Sequence, residues 1–426
     1  MECGSKERLL VPQDLEHGDE LQEEQGRSSF FQALFNNVGT LVGLGMLSCP
    51  YSLHNGGWLG LIVLFSCGAI FCYTAYILAR CLGSKPGTST FQQVGALAFG
   101  RTGRIFVAAI VDLEILGTLV GFTISLRDNL VRIFPHAGVH LPWLELAPTQ
   151  FLPIAGVLAV LPIIWVRDLS WLSYVSLGGI ATYLIIVLGV LWAGIVDGIG
   201  FHHSIALVNP TKLAEVAGLY AFCYSGHVIL PRIYSSMKDP SQYPKVAALS
   251  FSIATLIYAV VAIAGATMFG SSIQSQVTLS LPKELAVAKL VLFLMVLIPL
   301  TKYALVVNTL AVHMESLIPS PPSLSGGGGG GGGAWRSWSS VSVRSAIMAV
   351  VLLLALAVPA FETTVALIGS GISVTTCVIL PAIFFVKIFG ARGAPRHELT
   401  LTVIFGVAGV VLGIVGTVSS IRKLAR

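Results

Sequence analysis

Long apolar runs separated by short polar connections make up most of the chain from Phe30 onward. An α-helix needs about 20 apolar residues to cross a bilayer core about 30 Å thick, and most of these runs reach that length with few charges. The pattern predicts eleven spanning helices, which we number one to eleven, and a split of the eighth would give twelve. Their predicted limits are residues 30–53, 58–82, 105–134, 151–166, 172–196, 213–231, 245–269, 286–316, 342–360, 363–389 and 400–421.

Composition supports an all-α, polytopic protein embedded in a lipid bilayer. Hydrophobic residues make up 55% of the chain and charged residues 11%, and the mean hydropathy is +0.84. Soluble globular domains carry about 25% charged residues, so that class is excluded. The seven cysteines are scattered without a C-x-x-C pair, which predicts no disulfide framework, no zinc site and no cofactor. Basic residues are not interleaved with aromatic ones, so nucleic acid is not an expected partner.

The distribution of charge predicts the domain limits and the orientation. Residues 1–28 are strongly acidic and poor in apolar residues, which predicts a disordered cytoplasmic tail. A single transmembrane domain follows over 29–421, and a short basic tail over 422–426. Within the domain, the glycine-rich stretch 320–340 predicts a flexible cytoplasmic linker. Lysine and arginine are concentrated in the connections on the N-terminal side, which places the N-terminus in the cytoplasm.

Glycines interrupt the first span where lipid would favour leucine and valine. The stretch N-N-V-G-T-L-V-G-L-G-M-L-S-C-P-Y contains Gly39, Gly43 and Gly45, and then Pro50. Glycine weakens a helix and proline removes a backbone donor, so the stretch favours a helix that is broken at membrane depth. The alternative is a straight helix whose glycines let a neighbouring helix pack closely.

A second interruption lies in the sixth span, in Y-A-F-C-Y-S-G-H-V-I-L-P. Gly226 comes thirteen residues after the start of span six, as Gly43 comes thirteen residues after the start of span one. The two spans enter the membrane from opposite faces, so an inverted repeat of spans 1–5 and 6–10 would place both breaks at one depth. Half-helix ends present free N–H and C=O groups, and a ligand with both carboxylate and ammonium groups satisfies both. That ligand is an amino acid.

The motifs around both breaks resemble those of the amino acid/auxin permease family, and most closely its plant vacuolar amino acid transporter group. In span one and just after it, the resemblance rests on S-F-F-Q-A-L-F-N-N-V-G-T-L-V-G-L-G-M-L-S-C-P-Y-S-L-H-N-G-G-W. In span six and the loop that follows, it rests on F-C-Y-S-G-H-V-I-L-P-R-I-Y-S-S-M-K-D-P. Two further stretches fit, D-L-E-I-L-G-T-L-V-G-F-T-I-S-L-R-D-N-L in span three and P-L-T-K-Y-A-L in span eight. It implies eleven spans in the leucine-transporter architecture and proton-coupled movement of amino acids. Many relatives carry Glu after the valine of span three, where this chain has Gly121.

The candidate site residues follow from the breaks and from the charges within spans. The predicted substrate-binding residues are Thr40, Leu41, Val42, Gly43, Gly45, Phe222, Ser225 and Gly226. Ionisable residues inside a membrane are costly and indicate function, so Lys302, Glu114 and His227 are predicted to couple transport to protons. In sodium-coupled relatives of the architecture, a cation is held between spans one and eight, and the Lys302 amine could replace it. The alternatives are a Lys302 side chain that extends to an interface, a structural ion pair or a protonated carboxyl group hydrogen-bonded between helices at Glu114, and a His227 that donates to a freed carbonyl.

The sequence therefore predicts a proton-coupled secondary transporter of amino acids that works by alternating access around a midplane site between broken spans one and six. The vacuolar membrane is its predicted location. The alternatives are a plasma-membrane carrier of amino acids or auxin-like acids, and a transporter-like amino acid sensor. Glu114 and His227 have no evident nucleophile or metal partner, so an enzyme is not predicted.

Overall fold

Membrane-length helices dominate the computed structural model, which describes residues 26–141, 144–165, 172–318, 331–358 and 360–425. Eight helices in these ranges are long and apolar enough to cross a membrane, and a bent pair in the first span gives nine. The predicted count of eleven spans stays a prediction.

The elements follow the predicted runs in order. Span one comprises α1 (Phe30–Leu41), a short 3₁₀ turn (Leu44–Ser48) and α2 (Cys49–Gly56), and span six comprises α7 (Leu213–Cys223) and α8 (Leu230–Ser236). The other predicted spans correspond to α3 (Trp58–Gly83), α4 (Phe91–Ile133), α5 (Pro148–Trp165), α6 (Leu172–Ile195), α9 (Tyr243–Phe269), α11 (Ala286–Ser316) and α12 (Gly331–Ala357). Span ten begins with α13 (Phe361–Ile368), continues through two π-helical turns (Gly369–Ser373 and Thr375–Ile379) and ends with α14 (Leu380–Gly393). Span eleven is α15 (Arg396–Leu424). The connections between spans contain a hairpin, formed by β1 (Val139–Leu141) and β2 (Leu144–Leu146), and a short helix, α10 (Val277–Ser280).

Polar residues fix where the first and third spans begin. Ser29 and Gln32 form a capping box at the start of α1, and Thr90 and Gln93 form another at the start of α4. Helix α4 begins well before the predicted start of span three, because an additional short helical leg precedes it. The leg ends at Gly100, whose φ of 65° is left-handed and is readily adopted only by glycine.

Helix α9 and the C-terminal span hold the broken helices in place. Helix α9 packs against α1, α2 and α3, whereas α7 packs against α2, α3, α13 and α15. At one end of α15, Glu398 accepts hydrogen bonds from Arg80 of α3 at 3.1 and 3.2 Å. At its other end, Lys423 donates to Glu215 of α7 at 2.6 Å and to Glu362 of α13 at 3.4 Å. These ion pairs lie at opposite faces of the membrane domain.

Two predicted segments lie partly outside the described residues. The acidic tail is described only from Gly26 onward. Of the predicted linker 320–340, residues 319–330 lie outside the described ranges, and residues 331–340 form the first turns of α12. A helix that has already formed adds a hydrogen bond for each residue it gains, which favours its extension into the end of a connection.

Candidate functional site

The break in span one is short and is made of backbone rather than of polar side chains. Helix α1 ends at Leu41, and Val42 and Gly43 are extended before the 3₁₀ turn begins at Leu44. The two parts of the span are bent by 48°. Pro50 lies in the first turn of α2, where its missing N–H would have had no helical partner. The proline therefore starts the second half-helix, and the glycines accommodate the break.

The break in span six is longer and carries polar side chains. Helix α7 ends at Cys223 and α8 begins at Leu230, so the connection between them includes Ser225, Gly226 and His227. The Ser225 N–H donates to the Phe222 carbonyl at 3.1 Å, and a second turn follows at Gly226. The predicted break at Gly226 is present.

The two breaks are in direct contact. A Cβ atom at Gly45 would lie 3.0 Å from the Cα and Sγ atoms of Cys223, and one at Gly226 would lie 3.1 Å from Cγ2 of Thr40. The thiols of Cys49 and Cys223 are 3.8 Å apart and fully enclosed by protein. The structure thus brings together predicted substrate-binding residues of both spans, and a side chain larger than that of glycine would be crowded at Gly45 and Gly226. Gly43 differs, because a Cβ there would meet nothing nearer than the Leu41 carbonyl oxygen at 3.8 Å.

A buried carboxyl group faces the break in span six. Glu114 of α4 is 7% exposed and accepts a hydrogen bond from the Ser225 hydroxyl. Its other oxygen, Oε2, is buried and makes no hydrogen bond to the described residues. No lysine or arginine within the described ranges forms an ion pair with it. Glu114 is therefore presented to the break, with one oxygen left for a ligand or a proton.

Span ten contributes a wall of the site that the sequence analysis missed. The Cys377 thiol is 3.9 Å from the Ser225 hydroxyl. The hydroxyls of Ser373 and Thr376 also face the Glu114 carboxyl group without reaching hydrogen-bond geometry. These residues lie in two successive π-helical turns, a distortion that is rare and is common at functional sites. The run G-S-G-I-S-V-T-T-C is unusually rich in hydroxyl and small residues for a span, which was the available signal.

Lys302 lies apart from this group. Its amine is 5.0 Å from the ring centre of Tyr183 and would be 3.9 Å from a Cβ atom at Gly179, and both residues belong to α6. Within the described ranges no carboxylate lies within 4.0 Å of the amine. Its position between spans one and eight stays a prediction, because the contacts described for it are with span five. A cation–π contact with Tyr183 stabilises a charged amine in a poorly hydrated position.

The His227 side chain contacts span two. Its Nε2 atom is 3.0 Å from the Thr74 hydroxyl, and its ring packs edge-on against Phe71 and Phe251. The imidazole is completely buried, and Nδ1 has no hydrogen bond to the described residues. The structure does not bring together the three predicted coupling residues. Glu114 lies against spans six and ten, Lys302 against span five, and His227 against span two.

The arrangement of helices is that of a known fold. The fold is similar to a solved structure of a Na+-coupled sialic acid symporter in a substrate-bound outward-open state. The TM-score is 0.53 with 12% sequence identity, and the match covers 96% of this chain and 91% of the symporter chain. This likeness shows the leucine-transporter-type fold, in which spans one and six are broken. The predicted fold is confirmed.

Sequence comparison identifies the family. The profile described as "Transmembrane amino acid transporter protein" matches residues 26–422. The chain is 38% identical over 419 residues to amino acid transporter AVT1E of Arabidopsis thaliana, with 98% of this chain and 77% of that protein covered. It is 40% identical over 397 residues to AVT1B of the same plant, covering 93% and 71%. Vacuolar amino acid transporter 4 of Saccharomyces cerevisiae is 26% identical over 299 residues, covering 66% and 40%. The chain belongs to the transmembrane amino acid transporter family, and the predicted resemblance is confirmed.

Proposed function

We propose that this protein is a proton-coupled amino acid transporter of the vacuolar membrane that works by alternating access. The observation that carries the proposal is the convergence of the two breaks, at the contacts of Gly45 and Gly226, beside the Glu114 carboxyl group. Broken half-helices at the membrane midplane hold the substrate in transporters of this architecture. The relatives are named as amino acid transporters, and one of them as vacuolar.

The chemistry of the site supports an amino acid as substrate. The half-helices α1 and α7 present carbonyl groups at their C-terminal ends, and each carbonyl oxygen has two lone pairs. A substrate ammonium group is a donor of three hydrogen bonds and suits these oxygens together with the second oxygen of Glu114. Backbone N–H groups freed at the break of span one suit the substrate carboxylate.

Ion pairs close one face of the domain. At the face opposite the start of α1, Lys423 pairs with Glu215 and Glu362, and these contacts hold α7, α13 and α15 together. Alternating access would loosen these contacts when the site opens toward that face.

Glu114 is the leading candidate for carrying the coupled proton. Glu114 is buried and contacts the break of span six through Ser225, so a proton bound there and a substrate bound at the break would affect each other. Lys302 remains the second candidate, because its charged amine is costly at membrane depth.

Uptake of labelled amino acids into proteoliposomes tests the proposal. A panel of amino acids should be compared with an imposed pH gradient, with a sodium gradient and with neither. We expect uptake of at least one amino acid that a pH gradient stimulates and a sodium gradient does not. Sodium-driven uptake would contradict proton coupling, and saturable binding of an amino acid without any uptake or exchange would favour a sensor.

A further inference from the structure

One hydroxyl group joins the two breaks. The Tyr258 hydroxyl of α9 lies 2.6 Å from the carbonyl oxygen of Leu41 and 2.9 Å from that of Cys223, and the two acceptors share its single O–H hydrogen. Leu41 is the last residue of α1 and Cys223 is the last residue of α7. The carbonyl ends of both half-helices therefore point at a single oxygen atom. The Tyr258 side chain is completely buried.

Such a meeting of two helix ends is electrostatically unfavourable without a positive group between them. The C-terminal end of a helix carries a partial negative charge and carbonyl groups that lack a helical partner. In a membrane these groups must be satisfied within the protein. Among the described residues, Tyr258 is the hydrogen-bond donor that reaches the Leu41 and Cys223 carbonyls, and no backbone N–H donates to them.

Transporters with broken helices commonly use a bound cation at such carbonyl ends. We propose that Tyr258 is a positioning residue whose hydroxyl takes the place of that cation, by joining the carbonyl ends of spans one and six. The inference rests on the proposed transport function and adds a reason for sodium independence that does not involve Lys302. Because the O–H dipole is permanent, it would hold the carbonyl ends of the two spans together through every transport cycle, whatever the ion concentration.

The bond is specific to Tyr258 among the buried tyrosines of this region. The Tyr224 hydroxyl is 2.7 Å from the Thr255 hydroxyl, so its hydrogen bond is with Thr255 and not with the carbonyl groups at the breaks. Tyr243, on the same helix as Tyr258, is equally buried, and its hydroxyl has no partner among the described residues. The ring of Tyr258 packs edge-on against Tyr224, with ring centres 5.3 Å apart, which fixes the direction of its hydroxyl.

The test compares Tyr258→Phe with Tyr243→Phe in proteoliposomes. Each substitution removes one oxygen from a buried ring of α9, but only the first removes hydrogen bonds to the breaks. The probe is the labelled amino acid that gives the largest uptake in the wild type, and its exchange is measured in sodium chloride and in potassium chloride. In potassium, Tyr258→Phe should raise the apparent KM about tenfold, which corresponds to about 1.4 kcal/mol, whereas Tyr243→Phe should leave it unchanged.

Sodium separates a positioning role from a loss of packing. In Tyr258→Phe the two carbonyl oxygens are left without a donor, and a hard cation prefers oxygen ligands. Sodium should therefore lower the KM of this variant and raise its melting temperature in detergent, with no effect on the wild type or on Tyr243→Phe. A second variant, Tyr258→His, keeps a ring N–H donor and should be less responsive to sodium.

Three results would overturn the proposal. They are an unchanged KM in Tyr258→Phe, a raised KM that is the same in both salts, and a wild type that itself responds to sodium. The melting measurement needs no transport and so remains informative if the proposed function fails. Absence of wild-type uptake and exchange would contradict the proposed function instead.

Discussion

The two broken spans differ in what they bring to the site. The break in span one is two extended residues long, and its contribution is close backbone approach through Gly45. The break in span six runs from Tyr224 to Ile229 and places the Ser225 hydroxyl against Glu114. In the proposed function, the break in span one would supply backbone groups to an α-amino acid. The break in span six would supply side chains, including the contact with the carboxyl group proposed to carry the proton.

Leucine at either central glycine should have the largest effect. Gly226→Leu would force a side chain against Thr40, and Gly43→Leu would fill the open space beside the break of span one. We expect uptake by both variants to fall to the level of empty liposomes, while the protein remains in the membrane. Alanine sharpens the comparison, because Gly43→Ala has room, whereas Gly226→Ala requires the Thr40 methyl group to move by a few tenths of an ångström. Normal uptake by either leucine variant would favour a straight helix with closely packed glycines.

Removal of the Glu114 charge should abolish coupling. Glu114→Gln keeps the size of the side chain but cannot release a proton, so the response of uptake to a pH gradient should be lost. Uptake itself should fall about tenfold, as expected for loss of a hydrogen bond to a charged group. Asp112→Asn is the matched control, since Asp112 lies on the same helix and pairs with His313 at 2.7 Å. An unchanged pH response in Glu114→Gln would assign coupling to another residue.

Loss of the Lys302 amine distinguishes the two candidates for coupling. Lys302→Met keeps the length of the side chain and its apolar stem, so we expect the protein to fold and to exchange labelled substrate. If Lys302 couples, net uptake driven by a pH gradient should be lost in this variant. The control is Lys289→Met, because Lys289 is an exposed lysine of the same helix. A normal pH response in Lys302→Met would restrict the lysine to a structural contact with Tyr183.

Substitution of His227 should mainly affect stability. His227→Gln weakens the hydrogen bond to Thr74 and leaves a cavity beside Phe71, which should lower the free energy of unfolding by about 1–3 kcal/mol. Its melting temperature should fall, whereas that of the exposed control His397→Gln should not. The pH response should persist, because the imidazole contacts Thr74, Phe71 and Phe251 rather than the Glu114 carboxyl group. A lost pH response with an unchanged melting temperature would contradict this assignment.

Deletion of residues 326–330 should have the smallest effect. The entropy of closing a connection changes little with its length, so the remaining linker should still join spans eight and nine. We expect uptake by the deletion variant to equal that of the wild type in proteoliposomes. A deletion variant that reaches the membrane in normal amounts and fails to transport would show that the glycines have a further role.

The fold and both breaks could be predicted from the sequence, because hydropathy and the positions of glycines are local signals. The equal spacing of Gly43 and Gly226 from the starts of their spans was enough to indicate the inverted repeat. Tyr258 and Cys377 were missed, since each contacts a residue that is far away in the chain. A tyrosine in an apolar run has the same appearance whether its hydroxyl is unpaired, as in Tyr243, or joins two helix ends.

The paired thiols at the breaks provide a native site for chemical labelling. Cys49 and Cys223 belong to different half-helices, and their sulfur atoms are close enough for a single mercuric ion to bridge. Because both thiols are enclosed by protein, the rate at which they react would report how often the interior opens to water. Bound mercury would also serve as a heavy-atom marker of the two breaks in diffraction, without any introduced cysteine.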